Sequence, residues 1–410
     1  MNYQESLQYI HSLSNNLPPT LKRTQKLLNL IGNPQNSLKA LHIAGTNGKG
    51  SVASIVSEVL VSKGYKVGLF MSPFIIDFRE RIKLNGSMIS KTDLSNYCTK
   101  LKKVVESHNL TIGEFEFITA LAFMYYKAES VDFCVLEVGL GGRYDATNTA
   151  FSIISVITKI SLDHTNLLGN TIKEIAYEKA GIIKENVPII TCNQSTDAIN
   201  VISNEAKLHN APLTIANVTD AENVNLSNKT TFAYNNVTYS INLLGEHQVE
   251  NTIIAICVLN ELLGDFVNGQ HYEFPNITHP ARLEVVKSTP LTILDGAHNP
   301  DGANALANYL KNIGFNGKII FGAMHDKNVD EVLQILSSVS SHIILVTVLN
   351  MPRAMSAQNL KEIANKYFTN CVIANSYNEA INLCANEPFL VCGSLYLASG
   401  IRPLLLQNNI

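Results

Sequence analysis

Two rhythms of hydrophobic and polar positions alternate along the chain. Short runs that are almost uninterruptedly apolar have the length of strands: "ALHIA" (40–44), "KVGLFM" (66–71), "DFCVLEVG" (132–139), "SIISVITKI" (152–160) and "VPIIT" (187–191). Between them, stretches such as 51–63, 116–129 and 171–184 repeat apolar residues at helical spacing, as in Val52, Ile55, Val56, Val59 and Leu60. Near-continuous apolar strands separated by amphipathic helices predict a parallel sheet covered on both faces. Residues 213–245 break the rhythm, and "TTFAYNNVTYSINLLG" predicts an antiparallel β segment added to the first domain, followed by a helix near 247–263. "PNITHPARLEV" (275–285), with two prolines, reads as a linker. Beyond it a second alternation begins: "LTILDGAHN", helix 301–313, "KIIFGAM", helix 328–338, "HIILVTV", helix 356–367, "CVIAN", helix 377–385 and "FLVCGS".

Composition narrows the class. With 410 residues, 46% hydrophobic and 16% charged, the chain has enough apolar material for two buried sheets. A net charge of −3 gives no reason to expect nucleic acid or an acidic membrane as partner. The N-terminus lacks an apolar secretory core, and no apolar run is long enough to cross a bilayer. Seven dispersed cysteines with no C-x-x-C pair predict reduced thiols in a cytoplasmic protein and argue against zinc.

In "HIAGTNGKGSVASIVSEVL" (42–60) a strand runs into a glycine turn and then into a helix. That junction aims bare backbone N–H groups and the positive end of a helix dipole at one point, which suits an anion. Gly45, Gly48 and Gly50 leave the backbone free to curl around phosphate, and Lys49 would reach the β- and γ-phosphates. The pattern departs from G-x-x-x-x-G-K-[ST]: Ile43 stands at the first glycine position, and Gly50 separates Lys49 from Ser51. The displaced hydroxyl points to another side chain as metal ligand. A glycine-rich turn without a ligand is the plain alternative.

In a parallel sheet, ligands bind beyond the carboxyl ends of the strands. Ser72 follows the second run, Glu137 sits at the end of the third, and Asp163 and His164 follow the fourth. Each alone has an ordinary explanation: a helix or turn cap for Ser72, a partner of Arg143 for Glu137, a core imidazole for His164. Together they would bring a phosphate loop, a hydroxyl, a carboxylate and an imidazole to one rim. That set suits Mg²⁺ beside nucleotide phosphates, the imidazole being better matched to Mn²⁺ or a second metal site.

Taken together, "AGTNGKGS", "SPF", "LEVGLGGRYDATN", "SLDHTNLLG", "IAYEKAGIIK", "DGAHNPDGA" and "VCGS" resemble the folylpolyglutamate synthase/dihydrofolate synthase branch of the Mur ligase superfamily, over essentially the whole chain. "MHDKNVDEVL" and "NMPRAMSAQNL" resemble the bacterial bifunctional type. The resemblance implies an α/β fold: a P-loop parallel-sheet ATPase domain over 1–278 with an added antiparallel β segment, and a smaller, Rossmann-like glutamate ligase domain over 279–410. It implies that Thr46, Asn47, Gly48, Lys49, Gly50 and Ser51 wrap ATP phosphates, and that Ser72, Glu137 and His164 bind two Mg²⁺ or Mn²⁺ ions. By the same resemblance Lys179 is carbamylated, and Asn251, Arg282, Asp295 and His298 contact nucleotide. Lys49, Lys179, His164 and Arg282 are the catalytic candidates. The family's P-G-R reads Pro280-Ala281-Arg282 here. Gly113, Glu114, Phe115 and Glu116 of "GEFEF", with Tyr144, would meet the pterin, although Phe115 and Phe117 equally suit the core face of a helix start. The loop "NNLPPTLKR" (15–23) aligns with a segment that discriminates dihydropteroate, and a glutamate site is looked for near Arg353 or Ser394.

The activity so implied is ATP-dependent addition of L-glutamate to dihydropteroate, tetrahydrofolate or reduced folylpolyglutamates, by a monomer. A carboxylate becomes an amide by way of an acyl phosphate. Because that intermediate hydrolyses, two domains closing about the 275–285 hinge are expected to exclude water. Two rivals stand beside it: a Mur-type ligase acting on a peptidoglycan precursor, and a P-loop NTPase switch whose hydrolysis ignores pterin and glutamate.

Overall fold

A computed structural model of the chain describes residues 1–14, 17–227, 229–267, 269–384 and 386–407. Asn15 and Asn16 of the "NNLPPTLKR" loop, Asn228 of the β segment and Ala385 at the end of the expected helix 377–385 lie outside the described residues. The chain divides into two compact units. One comprises residues 1–221, 234–237 and 250–277, the other 222–233, 238–249 and 278–410.

The first unit is built on eight strands: β1 (Ala40–Ala44), β2 (Val67–Phe70), β3 (Ile82–Leu84), β4 (Ser87–Met88), β5 (Phe133–Glu137), β6 (Ser152–Ile157), β7 (Ile189–Cys192) and β8 (Leu213–Ala216). Their order across the sheet is β4-β3-β2-β5-β1-β6-β7-β8. From β2 to β8 every pairing is parallel, while β3 and β4 add an antiparallel edge beside β2. The expected strands therefore all form. The one correction falls at 213–216, which joins the parallel sheet as its edge strand instead of starting the antiparallel segment. Thr214 and Ile215 are exposed there, so the run lacks the all-apolar signature of a central strand.

Both faces of this sheet are covered. Phe70, Cys134 and Leu136 join a core with Ile10, Leu27, Leu94, Leu101, Phe117 and Phe123 from helices Tyr3–Ser12, Leu21–Leu30, Lys91–Ser107 and Glu114–Ala128. Ala44, Ile157 and Ile189 join another with Ile175, Ala176, Ile202 and Ala206 from helices Ile172–Ala180 and Thr196–Leu208. Each buried Val, Ile or Leu contributes about 1.5–3 kcal/mol.

The antiparallel segment consists of β9 (Glu222–Asn225), β10 (Thr230–Tyr234) and β11 (Val237–Ile241), β9 pairing antiparallel with β10. Tyr234 and Val237 belong to the first unit and the rest of these strands to the second. A short strand, β12 (His271–Glu273), follows helix Glu246–Leu263. The second unit then continues as β13 (Glu284–Ser288), β14 (Leu291–Leu294), β15 (Lys318–Phe321), β16 (His342–Leu345), β17 (Asn370–Ile373) and β18 (Phe389–Cys392), in the order β13-β14-β18-β15-β16-β17. Only β13 is antiparallel to its neighbour. Ile319, Phe321, Ile343, Leu345, Leu390 and Cys392 face one core, whereas Ile320, Ile344, Phe389 and Val391 face the other. With both faces buried, alternation of side chains leaves no polar position after the first residue of β15 and β16, which is why "IIF", "IIL" and "FLVC" read as unbroken apolar runs.

An imidazole lies deep in the first unit. His42, on β1 and 1% exposed, bonds through Nε2 to Thr147 Oγ1 at 2.8 Å. Burial holds its pKa down at about 3, so it is neutral in the folded protein. The unfolded chain binds this proton near pH 6.5, so native stability falls as pH drops from 6.5 towards 3, by up to about 1.4 kcal/mol per pH unit. Urea unfolding of His42→Gln between pH 7 and 4 should show a shallower acid dependence than the unaltered protein; identical slopes would exclude His42 as the sensitive group.

Candidate functional site

The turn after β1 is held from the strand beside it. Thr46 N and Asn47 N both donate to Lys159 O, at 2.8 and 3.3 Å. Thr46 Oγ1 donates to Ser161 O at 3.0 Å and accepts from Ser161 N at 3.1 Å, while Thr158 Oγ1 donates to Asn47 O at 2.7 Å. Gln194 braces this extension of β6 by accepting from Ile160 N at 2.8 Å and donating to Thr158 O at 3.2 Å. None of Thr158, Lys159, Ser161 and Gln194 stands out in the sequence. The only hint is polar side chains directly after an apolar strand.

Gly48 has φ +89°, and a Cβ there would overlap Asn251 Oδ1. Asn251 thus lies against the glycine turn. Helix Lys49–Ser62 starts on Gly48, which as N-cap residue has no side chain to cap it. Lys49 Nζ folds back to donate to Gly45 O at 3.1 Å and Thr46 O at 3.0 Å.

Lys179 reaches the same carbonyl. It lies in the last turn of helix Ile172–Ala180, is 4% exposed, and donates from Nζ to Gly45 O at 2.8 Å. Burial lowers its pKa to about 7, the nearby Lys49 charge adds to the fall, and Asp163 and Glu178 oppose it.

The other strand ends bring Ser72 and Glu137. Glu137, 5% exposed, pairs in register with Ile43 of β1, and its Oε2 accepts from Ser72 N at 2.8 Å. His164 follows β6, adopts a left-handed φ of 50° and heads the short helix Thr165–Leu168, its N–H donating to Asp163 Oδ1 at 2.8 Å. Since β2, β5, β1 and β6 are neighbours and parallel, Ser72, Glu137, the glycine turn and His164 leave four adjacent strand ends. Among the described residues no three His, Cys, Asp or Glu side chains form a metal-holding group. One carboxylate, one hydroxyl and one imidazole make a sparse set, suited to a cation that also takes phosphate oxygens and water.

The "GEFEF" residues open helix Glu114–Ala128. Glu116 reaches back over the helix start, Oε2 accepting from Gly113 N at 2.7 Å, and pairs with Arg23 at 2.9 Å. Arg23 also donates to Pro18 O at 2.7 Å, which ties the described part of the 15–23 loop to this helix start. Glu114 Oε2 lies 3.2 Å from His11 Nδ1. Phe115 stands 5.7 Å from Phe70, centroid to centroid, and packs over Gly139, where a Cβ would come within 2.6 Å of its ring. Tyr144 is 50% exposed, beside Arg143, whose guanidinium lies 3.9 Å from the Tyr177 ring and 2.9 Å from Glu205.

In the second unit Arg282 sits between two left-handed residues, Ala281 (φ 54°) and Leu283 (φ 46°). Such a φ costs an L-residue about 1–2 kcal/mol. Asp295 accepts from Leu283 N at 2.8 Å on one oxygen and from Ala297 N at 2.8 Å on the other. His298 Nδ1 donates to Gly296 O at 2.7 Å. Arg353 pairs with Asp326 at 2.8 Å, and Ser394 Oγ accepts from Tyr396 N at 3.1 Å.

Comparison with known proteins gives a consistent set. The protein-family models for the Mur ligase middle domain and the Mur ligase glutamate ligase domain match residues 43–259 and 281–395. A dihydrofolate synthase/folylpolyglutamate synthase of Bacillus subtilis is 36% identical over 98% of this chain and 99% of its own. Among solved structures, a Mycobacterium tuberculosis folylpolyglutamate synthase complexed with ADP and AMPPCP superposes with a TM-score of 0.88 at 30% identity, covering 98% of this chain and 99% of that one. An FPGS–AMPPCP–folate complex gives 0.83 at 32% identity, covering 99% and 100%.

The Lys179 environment has a measurable consequence. Its folded pKa lies below the unfolded value of 10.5, so the unfolded chain binds more protons between about pH 7 and 10.5 and native stability rises with pH across that window. Relative to Lys179→Met, the unaltered protein should gain stability from pH 7 to 9.5 in urea titrations; parallel curves would show that Lys179 is not a depressed amine.

Proposed function

The chain belongs to the folylpolyglutamate synthase/dihydrofolate synthase family of Mur ligases, ATP-dependent ligases that add glutamate, and from that premise we propose how its own residues carry the reaction. The carboxylate of dihydropteroate or a reduced folate attacks the γ-phosphorus of ATP, giving an acyl phosphate and ADP. The amine of L-glutamate then attacks the acyl carbon and phosphate leaves. Activation is needed because a carboxylate is a poor acyl donor in water.

The observation that carries this reading is the glycine turn at β1, flanked by the ends of β5 and β6 and leading straight into a helix N-terminus with Lys49 in its first turn. Nucleotide phosphates bind Thr46, Asn47, Gly48, Gly50 and Ser51, and Lys49 exchanges the loop carbonyls for β- and γ-oxygens. Asn251 supports the turn from the side of Gly48 and contacts nucleotide. Ser72, Glu137 and His164 would hold the Mg²⁺ that accompanies the nucleotide, with Mn²⁺ also suited to the imidazole. The ion would supply charge neutralisation on the phosphates. By its place in the family's motif Arg282 would neutralise the charge that develops on the transferring phosphoryl group, and His298 would be a further nucleotide contact. Asp295, both oxygens of which accept backbone N–H groups, serves nucleotide binding by fixing the Arg282 and His298 segments.

Lys179 has a role that its chemistry supports. An amine with a pKa near 7 is partly neutral at physiological pH, so it can add CO₂ and release a proton to become an anionic carbamate. Beside Lys49 that change replaces like-charge repulsion with attraction. Tyr144 offers an exposed aromatic surface to the pteroyl ring, and Phe115 sets the floor beneath it together with Gly113, Glu114 and Glu116. Residues 1–278 serve ATP and residues 279–410 glutamate, although 222–233 and 238–249 group with the second unit, and the chain works in the cytoplasm as a monomer.

ADP release should require both a pteroyl acid (dihydropteroate or tetrahydrofolate) and L-glutamate, with a product one glutamyl residue heavier by mass spectrometry. Lys49→Ala should lower kcat/KM at least about 100-fold. Turnover without glutamate would sink the ligase reading. Turnover only with a peptidoglycan precursor would favour the Mur alternative.

A further inference from the structure

The Arg282 segment is held more firmly than a phosphate-contacting loop needs. Ala281 and Leu283, on either side of Arg282, are 0% and 2% exposed, and both are left-handed without being glycine. Two carboxylates hold that conformation. Glu284 Oε2 accepts from Ala281 N at 2.9 Å and Asp295 Oδ2 from Leu283 N at 2.8 Å, while Ala281 O accepts from Gly296 N at 2.9 Å. A Cβ on Gly296 would overlap Arg282 Nη1 and Leu395 Cδ2, so the guanidinium lies against bare backbone.

Glu284 is itself gripped from helix Leu395–Gln407. Arg402 Nε donates to both carboxylate oxygens, at 2.9 and 3.0 Å, and Nη2 stands 2.7 Å from Oε1, with only 17% and 21% of the two side chains exposed. A planar fork on a carboxylate fixes the plane of the acid as well as its charge. Fixing that plane keeps Oε2 on Ala281 N, and Ala281 sets the direction in which Arg282 leaves the backbone. No motif in the sequence marks Arg402.

We infer that Glu284 and Arg402 are positioning residues for Arg282, an ion pair that holds a strained Ala281 so that the guanidinium is aimed before nucleotide arrives. The inference rests on the role of Arg282 given under the proposed function. A purely structural pair would tie the last helix to β13 and affect every measurement alike. A positioning pair acts only through Arg282. It should change kcat more than KM for ATP, because the interaction counts where charge moves.

The test is a double-mutant cycle in the full-length protein, read as kcat and KM for ATP in the ADP-release assay with tetrahydrofolate and glutamate. Arg402→Met and Glu284→Gln should each lower kcat by about 10-fold with KM changed less than about twofold, and neither should lower it further in an Arg282→Ala background. Ala281→Gly should recover part of the Arg402→Met loss, because glycine takes a positive φ unaided, and Arg402→Lys should recover less because it lacks the fork. Losses that add fully to Arg282→Ala, or kcat unchanged in both pair variants, would overturn the inference. Should Arg402→Met not fold, Glu284→Gln, which retains an acceptor for Ala281 N, carries the same comparison. A wild-type kcat for Arg282→Ala would overturn the assigned role of Arg282 itself, and with it this inference, a result distinct from failure of the cycle.

Discussion

Because β1 pairs in parallel with β5 on one side and β6 on the other, the turn leaving it has a strand end on each flank. The chain goes from β1 out to β2, returns to β5, and then crosses to β6 on the far side, so the direction of winding reverses beside β1. At such a reversal the connections part and leave backbone ends uncovered. The glycine turn, Glu137 and the segment leading to His164 all depend on that one topological fact. Slipping the β1–β5 register by one residue would turn Glu137 to the other face of the sheet, since side chains alternate along a strand.

The carbonyl of Gly45 concentrates the electrostatics of this edge. Two lysines, Lys49 and Lys179, donate to it, one from the helix that starts at the turn and one from the end of another helix. Burial makes the second ammonium expensive, and a neighbouring ammonium makes it more so, which explains the direction of the Lys179 shift. A polyanion placed at the turn would relieve the repulsion. Thus the arrangement is electrostatically prepared for phosphate.

Much of this was legible in the sequence, for identifiable reasons. The switch from strand to helix period around "GTNGKGS" located the turn, and rules about strand ends located Ser72, Glu137 and His164. Buried parallel strands are the easiest to read, since both faces demand apolar residues. The edge strand 213–216 lacks that signature because half of it faces solvent. Lys159 and Ser161 leave no mark because they act through backbone groups, which any residue supplies, and Thr158 and Gln194 use side chains on partners that no local spacing announces. Glu116 illustrates the opposite case. It accepts from Gly113 N at the helix start and pairs with Arg23, and a glutamate at the third helical position is a recognisable signal of the first of these.

The second unit shows why support for a site is harder to read than the site itself. Arg282 was reached through a motif, but nothing in "HPARLEV" shows that Ala281 and Leu283 lie in the left-handed region, since glycine is the residue that normally announces it. Non-glycine residues persist there only where the surroundings over-determine the backbone. Here the surroundings are Asp295, twelve positions beyond Leu283, and Arg402, 118 beyond Glu284. Separations of that kind have no local signature. Strain at one short segment, balanced by side chains that include some from distant elements, is a property of the folded chain and becomes visible only there.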